Sequence, residues 1–298
     1  MLLVGYTGLV SLGHAAFLAI GAYAHAYFMT EGAPFVVSLI GATAVCVVIG
    51  AIVGIPSLRM TGIYLAVATL AFAQIVEKVL AHWESVTGGH RGMAVPDPEL
   101  FSWSLGTPRI FYFVVLFVLV AALFSALNLL RSPTGRAMIA IRDSEISAQA
   151  MGIHLARVKT TAFAISAGFT GLAGGLFAHK IGYLAPDAFT ILISIQLLLM
   201  VVVGGLGSLH GVIYGAIFIG LLPQGIAFLR ESVPSSIGQI PGLEPGIFGL
   251  ILVLFLVYEP LGIFGRWVKI RLFFSEFPLY RKSTYKRQKS YLRTERVH

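Results

Sequence analysis

Apolar stretches of about 20 residues recur along this chain, and they constrain its fold more than any other feature. We expect eight, at residues 1–29, 35–55, 60–82, 109–130, 158–180, 188–204, 207–229 and 245–265. Only 11% of the 298 residues are charged, whereas soluble domains carry roughly 25%. The apolar runs are continuous rather than alternating, which favours helices over strands in lipid. The chain is predicted to be an all-α, polytopic transmembrane helical bundle of about eight spans.

Basic residues predict the orientation of this bundle. Fifteen of the 21 Lys and Arg lie either around the loop 131–157 or in the tail 266–298. Cytoplasmic segments of membrane proteins are enriched in such residues, so both segments are expected on the cytoplasmic side. Four predicted spans separate them, which returns the chain to the same side. We therefore predict a transmembrane domain, 1–265, and a basic tail, 266–298, that binds anionic lipid rather than nucleic acid.

Glycines interrupt two of the apolar stretches, GYTGLVSLGHAAFLAIGAYA at 5–24 and GGLGSLHGVIYGA at 204–216. One interpretation is close packing of helices through small residues. The other is a broken or re-entrant helix beside a substrate path, where freed backbone groups face a cavity. The two stretches share a loose Ser-Leu-His pattern near opposite ends of the chain, which would suit an internally repeated architecture.

Motifs for catalysis, metal binding and nucleotide binding are missing from the sequence. There is no HExxH, GxSxG or GxxxxGK[ST] motif, and the single cysteine, Cys46, lies inside an apolar run. The chain is therefore not predicted to be an enzyme or to hold a cofactor or metal. Uphill transport would need an ion gradient or another polypeptide as its energy source.

The loop 131–157 contains a predicted short helix between Pro133 and Gly152. Its apolar residues alternate with charged positions in a helical pattern, so one face must be buried against something. It can pack on the protein's own helix ends, lie on lipid headgroups, or dock onto a partner protein. The pattern alone leaves these alternatives open.

Four ordered motifs give the chain a family resemblance: GYTGLVSLGHAAFLAIGAY, SLRMTGIYLAVATLAFAQIV, GRAMIAIRDSEISAQAMGI and GGLGSLHGVIYGA. Together they resemble the permease subunits of ABC importers for branched-chain amino acids, and within that family the M-type permease. The resemblance covers most of residues 1–265. It implies a multi-pass protein of the bacterial inner membrane that pairs with a second permease subunit. It also implies two cytoplasmic ATPase subunits and a periplasmic substrate-binding protein as partners.

The resemblance also suggests site residues. The segment matching 135–153 is a coupling helix that docks onto the ATPase, and the positions carried over to that contact are Arg142, Asp143, Glu145, Ala148 and Gly152. Polar residues at membrane depth are candidates for the lining of the substrate path: Ser11, His14, Ser194, Gln196, Ser208 and His210. Each of these is also compatible with an interhelical hydrogen bond.

Other functions stay open at this point. A gradient-driven carrier or channel and a non-transporting anchor subunit are the alternatives, and related permeases carry urea, short amides or aromatic acids. Family members usually have at least one more apolar helix before the GYTG motif, and here Met1 falls just ahead of it. The sequence thus predicts a late start relative to the family.

Overall fold

The computed structural model describes residues 1–56, 60, 62–100, 103–104, 106–231, 243–258 and 262–276. A π-helical segment, Leu2–Thr7, comes first. The α-helices that follow are α1 (His14–Thr30), α2 (Phe35–Gly54), α3 (Ile63–His82), α4 (Glu84–Thr87), α5 (Pro108–Arg131), α6 (Pro133–Asp143), α7 (Glu145–Ala150), α8 (Leu155–Ile181), α9 (Ile191–Gly204), α10 (Leu209–Glu231), α11 (Leu243–Tyr258) and α12 (Gly262–Glu276). Short 3₁₀ helices lie at Gly89–Arg91 and Pro186–Ala188.

Two small antiparallel sheets complete the described structure. The strands are β1 (Met93–Ala94), β2 (Glu99–Leu100), β3 (Trp103–Ser104) and β4 (Tyr183–Leu184). β1 pairs with β4, and β2 pairs with β3. The β1–β4 pair joins the segment after α4 to the segment after α8, so both lie at the same end of the bundle.

The predicted helical membrane bundle is confirmed. Among the described residues, six helices are long and apolar enough to cross a membrane: α2, α3, α5, α8, the segment Pro186–Gly204 that ends in α9, and α10. The remaining two predicted spans coincide with α1 and α11, which have 17 and 16 residues. Each of the eight predicted stretches thus overlaps one of these eight helices.

Helices α1, α2 and α8 form the tightly packed centre of the bundle. Half of the α8 span is buried, against 6% for α5. Glycines make this packing feasible: a Cβ on Gly21 would lie 2.3 Å from the Gly171 carbonyl oxygen, and one on Gly174 would lie 2.1 Å from that of Leu18. The small-residue interpretation of the glycine content is therefore correct at these positions.

The chain also breaks where glycines interrupt the two apolar stretches. Residues 8–13 separate the π-helical segment from α1, and residues 205–208 separate α9 from α10. Gly8, Gly205 and Gly207 have positive φ angles of 71°, 113° and 89°, a conformation that glycine adopts without a steric penalty. The predicted interruption of these helices is confirmed at both places.

The first residues of the chain, the turn 205–208 and the start of α12 lie at the same end of the bundle as α6. Gly262 lies against Gly205, since a Cβ atom added to Gly262 would be 2.6 Å from the Gly205 Cα. Gly207 lies beside Arg142, since a Cβ atom added to Gly207 would be 3.5 Å from a guanidinium nitrogen of Arg142. We call this the α6–α7 end, and the end that carries β1 and β4 the opposite end. The parity argument from the sequence is consistent with this arrangement.

The loop 131–157 differs from the prediction in one respect, because it holds two helices instead of one. Ser144 separates the two helices because its backbone is extended, with a ψ of 116°. Its side chain accepts a hydrogen bond from the Ser147 N–H. Ser132 caps α6 in the same manner by accepting from the Gly135 N–H. Serine is a favoured residue at such positions because its oxygen satisfies a free N–H of the first turn.

The predicted basic tail begins inside α12, which runs without interruption across the predicted boundary at residue 265. Residues 277–298 lie outside the described part of the chain.

Candidate functional site

Polar side chains converge on the N-terminus of α1. Its backbone N–H groups at Leu12, Gly13 and Ala15 donate to the hydroxyls of Thr69, Ser11 and Ser194, at 3.0, 3.3 and 2.9 Å. A helix start leaves such N–H groups without partners inside the helix, and lipid offers none. Hydroxyls from three separate segments of the chain therefore stabilise this break.

The C-terminal end of this break lies beside the middle of helix α8. The His14 Nε2 atom is 3.0 Å from the Ser166 Oγ atom, and Ser166 is near the middle of α8, Leu155–Ile181. The Ser11, Ser166 and Ser194 side chains are all buried. We call the group of Ser11, His14, Thr69, Ser166 and Ser194 the α1 polar cluster.

The structure thus brings together three of the predicted path residues, Ser11, His14 and Ser194. It adds two that the sequence reasoning missed, Thr69 and Ser166. Their only signal in the sequence was a hydroxyl in the middle of an otherwise apolar run, which is common in membrane helices.

The other three predicted path residues lie apart from this cluster. Ser208 accepts a hydrogen bond from the Gly211 N–H at 3.2 Å, at the start of α10. His210 is exposed and stacks on the Phe264 ring of α12, with a centroid distance of 6.2 Å. Gln196 is half-buried two residues beyond Ser194 on α9, and residues two apart on a helix face different directions. The six candidates therefore do not form one continuous lining.

The two interrupted segments nevertheless meet. A Cβ on Gly5 would lie 3.0 Å from the Gly207 backbone nitrogen. The segment just ahead of the first break and the turn between α9 and α10 are consequently neighbours at the α6–α7 end. The two stretches that share the Ser-Leu-His pattern are therefore in contact.

Helices α6 and α7 have one buried and one exposed apolar face. Met138, Ile141 and Ala148 are 0 to 2% exposed and pack inward. Ile146 and Met151 are 84% and 83% exposed. Packing on the protein's own helices explains why Met138, Ile141 and Ala148 are apolar. It does not explain the exposed Ile146 and Met151. We call Ile146, Met151 and the adjoining exposed residues Asp143 and Gly152 the docking ridge.

Two charged contacts tie α6 and α7 to the rest of the bundle. The Arg142 guanidinium donates to the Gly5 carbonyl oxygen at 2.9 Å and to the Asp143 carboxylate at 3.0 and 3.2 Å. The Lys159 ammonium of α8, only 1% exposed, lies 2.8 Å from the Glu145 carboxylate of α7. A buried cation without an anionic partner is strongly destabilising, so Glu145 is held in place by Lys159.

The five predicted coupling residues therefore separate into two groups. Arg142, Glu145 and Ala148 make contacts with the bundle, whereas Asp143 and Gly152 face outward. Gly152 has a φ of 83°, and a Cβ placed on it would meet nothing within 4 Å. The sequence reasoning missed Ile146 and Met151 as exposed residues, since a helical pattern does not say which apolar residues stay uncovered.

Comparison with known proteins identifies relatives of this chain. Residues 1–256 match the family described as the branched-chain amino acid transport system permease component. The chain is 35% identical to the high-affinity branched-chain amino acid transport system permease protein LivM of Salmonella typhimurium and to that of Escherichia coli, over 285 residues. These alignments cover 87% of this chain and 64% of each relative.

A third relative is more distant. The probable branched-chain amino acid transport permease protein LivM of Methanocaldococcus jannaschii is 26% identical over 234 residues, with 76% of this chain and 67% of the relative covered. No solved structure matches the chain. The chain spans 64% of the length of the two bacterial relatives.

Proposed function

Because this chain belongs to the permease family of branched-chain amino acid transport systems, we propose that it is the membrane-spanning permease subunit of an ATP-driven importer. It translocates branched-chain or related amino acids that a periplasmic binding protein delivers. It is not itself an enzyme, since separate ATPase subunits hydrolyse ATP. The observation that carries the proposal is the docking ridge, an exposed apolar surface on helices that are anchored to the bundle by buried contacts.

The proposed location is the bacterial plasma membrane, with the α6–α7 end in the cytoplasm. Arg131, Arg136, Arg142 and Arg157 lie on or beside α6 and α7 at this end, and the basic helix α12 starts there. Positive charge on one side of a membrane protein favours the cytoplasmic face. α12 and the tail beyond it then bind anionic lipids of the inner leaflet.

In the proposed complex, two ATPase subunits and a second permease subunit accompany this chain. The docking ridge contacts one ATPase, with Ile146 and Met151 as apolar anchors and Asp143 and Gly152 beside them. Arg142, Glu145 and Ala148 connect the ridge to the bundle. Closure of the ATPase pair on ATP shifts the population between inward-open and outward-open permease conformations.

The α1 polar cluster and the turn 205–208 are the proposed polar positions beside the substrate path. Ser11, His14 and Ser194 belong to the first, and Ser208 and His210 to the second, with Gln196 between them on α9. Their hydroxyls are engaged with backbone groups, so the path they offer is only weakly polar. Tight binding and the choice among leucine-like amino acids then reside in the binding protein.

The experiment that tests this function is ATP hydrolysis by the reconstituted complex, stimulated by the loaded binding protein. Gly152→Asp puts a charge on the docking ridge at a position where the side chain meets no neighbour. Gly32→Asp is a matched control, because Gly32 has a φ of 86° and equally open surroundings between α1 and α2. Both variants carry the same backbone strain and the same new charge.

We expect stimulated hydrolysis to be lost in Gly152→Asp and retained in Gly32→Asp, with both variants inserted in the membrane and assembled. Equal activity of the two variants would contradict the docking assignment. An inability of the loaded binding protein to stimulate hydrolysis by the wild-type complex would contradict the importer itself.

A further inference from the structure

A groove between α5 and α8 is not used by the proposed transport function. It has a volume of about 790 Å³ and is walled by one face of each helix. Helix α5 has a mean span hydropathy of 2.8, yet only 6% of that span is buried. Its main packing contact is with α6, at its own C-terminal end. Over the rest of its described length α5 makes sparser contacts, such as that of Phe111 with His179 at a ring-centroid distance of 5.7 Å, and the groove stays open between the two helices.

The depth of the groove matches one leaflet of a bilayer. On α5 its lining runs from Pro108 to Ala122, a distance of about 21 Å at 1.5 Å per residue. One leaflet has the same thickness, because half of a hydrocarbon core of about 30 Å and a headgroup layer of roughly 6 Å add up to about 21 Å. The groove begins at the opposite end of the bundle from α6 and α7, and it stops near the middle of the membrane.

The walls of the groove suit hydrocarbon chains. The walls are apolar over most of the length, with residues such as Val115, Leu119 and Leu172. Extended hydrocarbon chains fit such a slot, while a polar amino acid would leave its charges without partners there.

Charges of both signs lie at the mouth of the groove. Asp97 and Lys180 line it and are exposed. Within the described residues, neither side chain has an ion pair or a hydrogen bond. A phosphate can pair with the ammonium of Lys180 and an amine with the carboxylate of Asp97. This combination is complementary to a zwitterionic headgroup, which carries one charge of each sign.

We propose that the α5–α8 groove binds one phospholipid from the leaflet at the opposite end of the bundle. Its acyl chains fill the apolar slot, and a zwitterionic headgroup of the phosphatidylethanolamine type lies between Asp97 and Lys180. The lipid completes the packing of α5 on the bundle. The proposal depends on the membrane location of the chain and is independent of what the protein transports.

Native mass spectrometry of the full chain, with any subunits that co-purify in mild detergent, tests this site. The probes are phosphatidylethanolamine and the anionic phosphatidylglycerol, added to delipidated protein. Ala122→Trp places an indole in the slot, and Val120→Trp, on an exposed face of the same helix outside the groove, is its control. Lys180→Met and Asp97→Asn each remove one of the two protein charges that face the proposed headgroup. Both side chains are exposed, so the packed interior is unchanged.

We expect the wild-type chain and Val120→Trp to retain one phosphatidylethanolamine, and Ala122→Trp to lose it. Lys180→Met should weaken retention of both lipids, and Asp97→Asn should remove the preference for phosphatidylethanolamine. Retention by Ala122→Trp at the wild-type level would overturn the site, as would wild-type retention by Lys180→Met together with an unchanged lipid preference in Asp97→Asn. If Ala122→Trp fails to fold, as judged by its elution and thermal unfolding, the two surface variants decide the outcome.

Discussion

The ion pair between Lys159 and Glu145 predicts an asymmetric response to removal of either charge. Lys159 has a side-chain exposure of 2%, whereas the Glu145 side chain is 37% exposed. Glu145→Gln leaves an ammonium buried without its anion. Breaking a buried pair in this way costs about 3–5 kcal/mol in general, and partial access of water at Glu145 puts the expected loss here near the lower limit, at about 3 kcal/mol.

Lys159→Met should be milder, because it leaves the carboxylate where water can reach it. We expect a loss of about 1 kcal/mol, from the ion pair and the packing of α7 on α8. The double variant Glu145→Gln with Lys159→Met has no buried charge, so its stability should be close to that of Lys159→Met alone. This recovery would give a coupling energy of about 3 kcal/mol between the two sites.

The assay is thermal unfolding of the purified chain in detergent micelles, with all variants in the same detergent. Asp143→Asn provides the matched control, because it converts a carboxylate to an amide in the exposed pair with Arg142, where the Asp143 side chain is 64% exposed. An exposed pair contributes only about 0–1 kcal/mol, so this variant should unfold nearly as the wild type does. Additive losses in the double variant, or equal losses in Glu145→Gln and Asp143→Asn, would refute the reasoning.

Two further predictions concern the α1 polar cluster and the docking ridge. Ser194→Ala removes the acceptor of a buried N–H in the first turn of α1 and should cost about 1–3 kcal/mol in thermal unfolding, whereas Ser125→Ala, on the exposed face of α5, should be neutral. Unchanged stability of Ser194→Ala would mean that the cluster is not needed to hold the break. Ile146→Ala changes a residue that is 84% exposed, so unfolding should shift by less than about 0.5 kcal/mol while stimulated ATP hydrolysis falls. Full activity of this variant would argue against Ile146 as an anchor.

The membrane spans could be predicted from the sequence because lipid imposes a length and an apolar composition on every crossing helix. Glycine interruptions at 5–24 and 204–216 likewise predicted the two breaks. The residues that satisfy those breaks could not be predicted, since Thr69 lies 57 positions from the N–H that it accepts from. Such contacts depend on which helices pack together, and neither periodicity nor composition specifies that.

The loop 131–157 shows a similar limit. Its helical pattern predicted an apolar face, and the structure has one, with Met138 and Ile141 buried. The pattern could not show that Ser144 divides the helix, because a serine is tolerated within helices and also caps them. Nor could it show that Arg142 and Glu145 are engaged with the bundle. Long-range partners, Gly5 and Lys159, determine the orientation of both side chains.

Arg142 connects the docking ridge to both interrupted segments. Its guanidinium binds the Gly5 carbonyl oxygen ahead of the first break, and it lies beside Gly207 in the second. Arginine suits this position because its planar group presents several donors in fixed directions. Under the proposed function, movement of α6 by a bound ATPase would change the surroundings of both breaks through one side chain. The two breaks would then respond together, as coupled opening and closing of a single path requires.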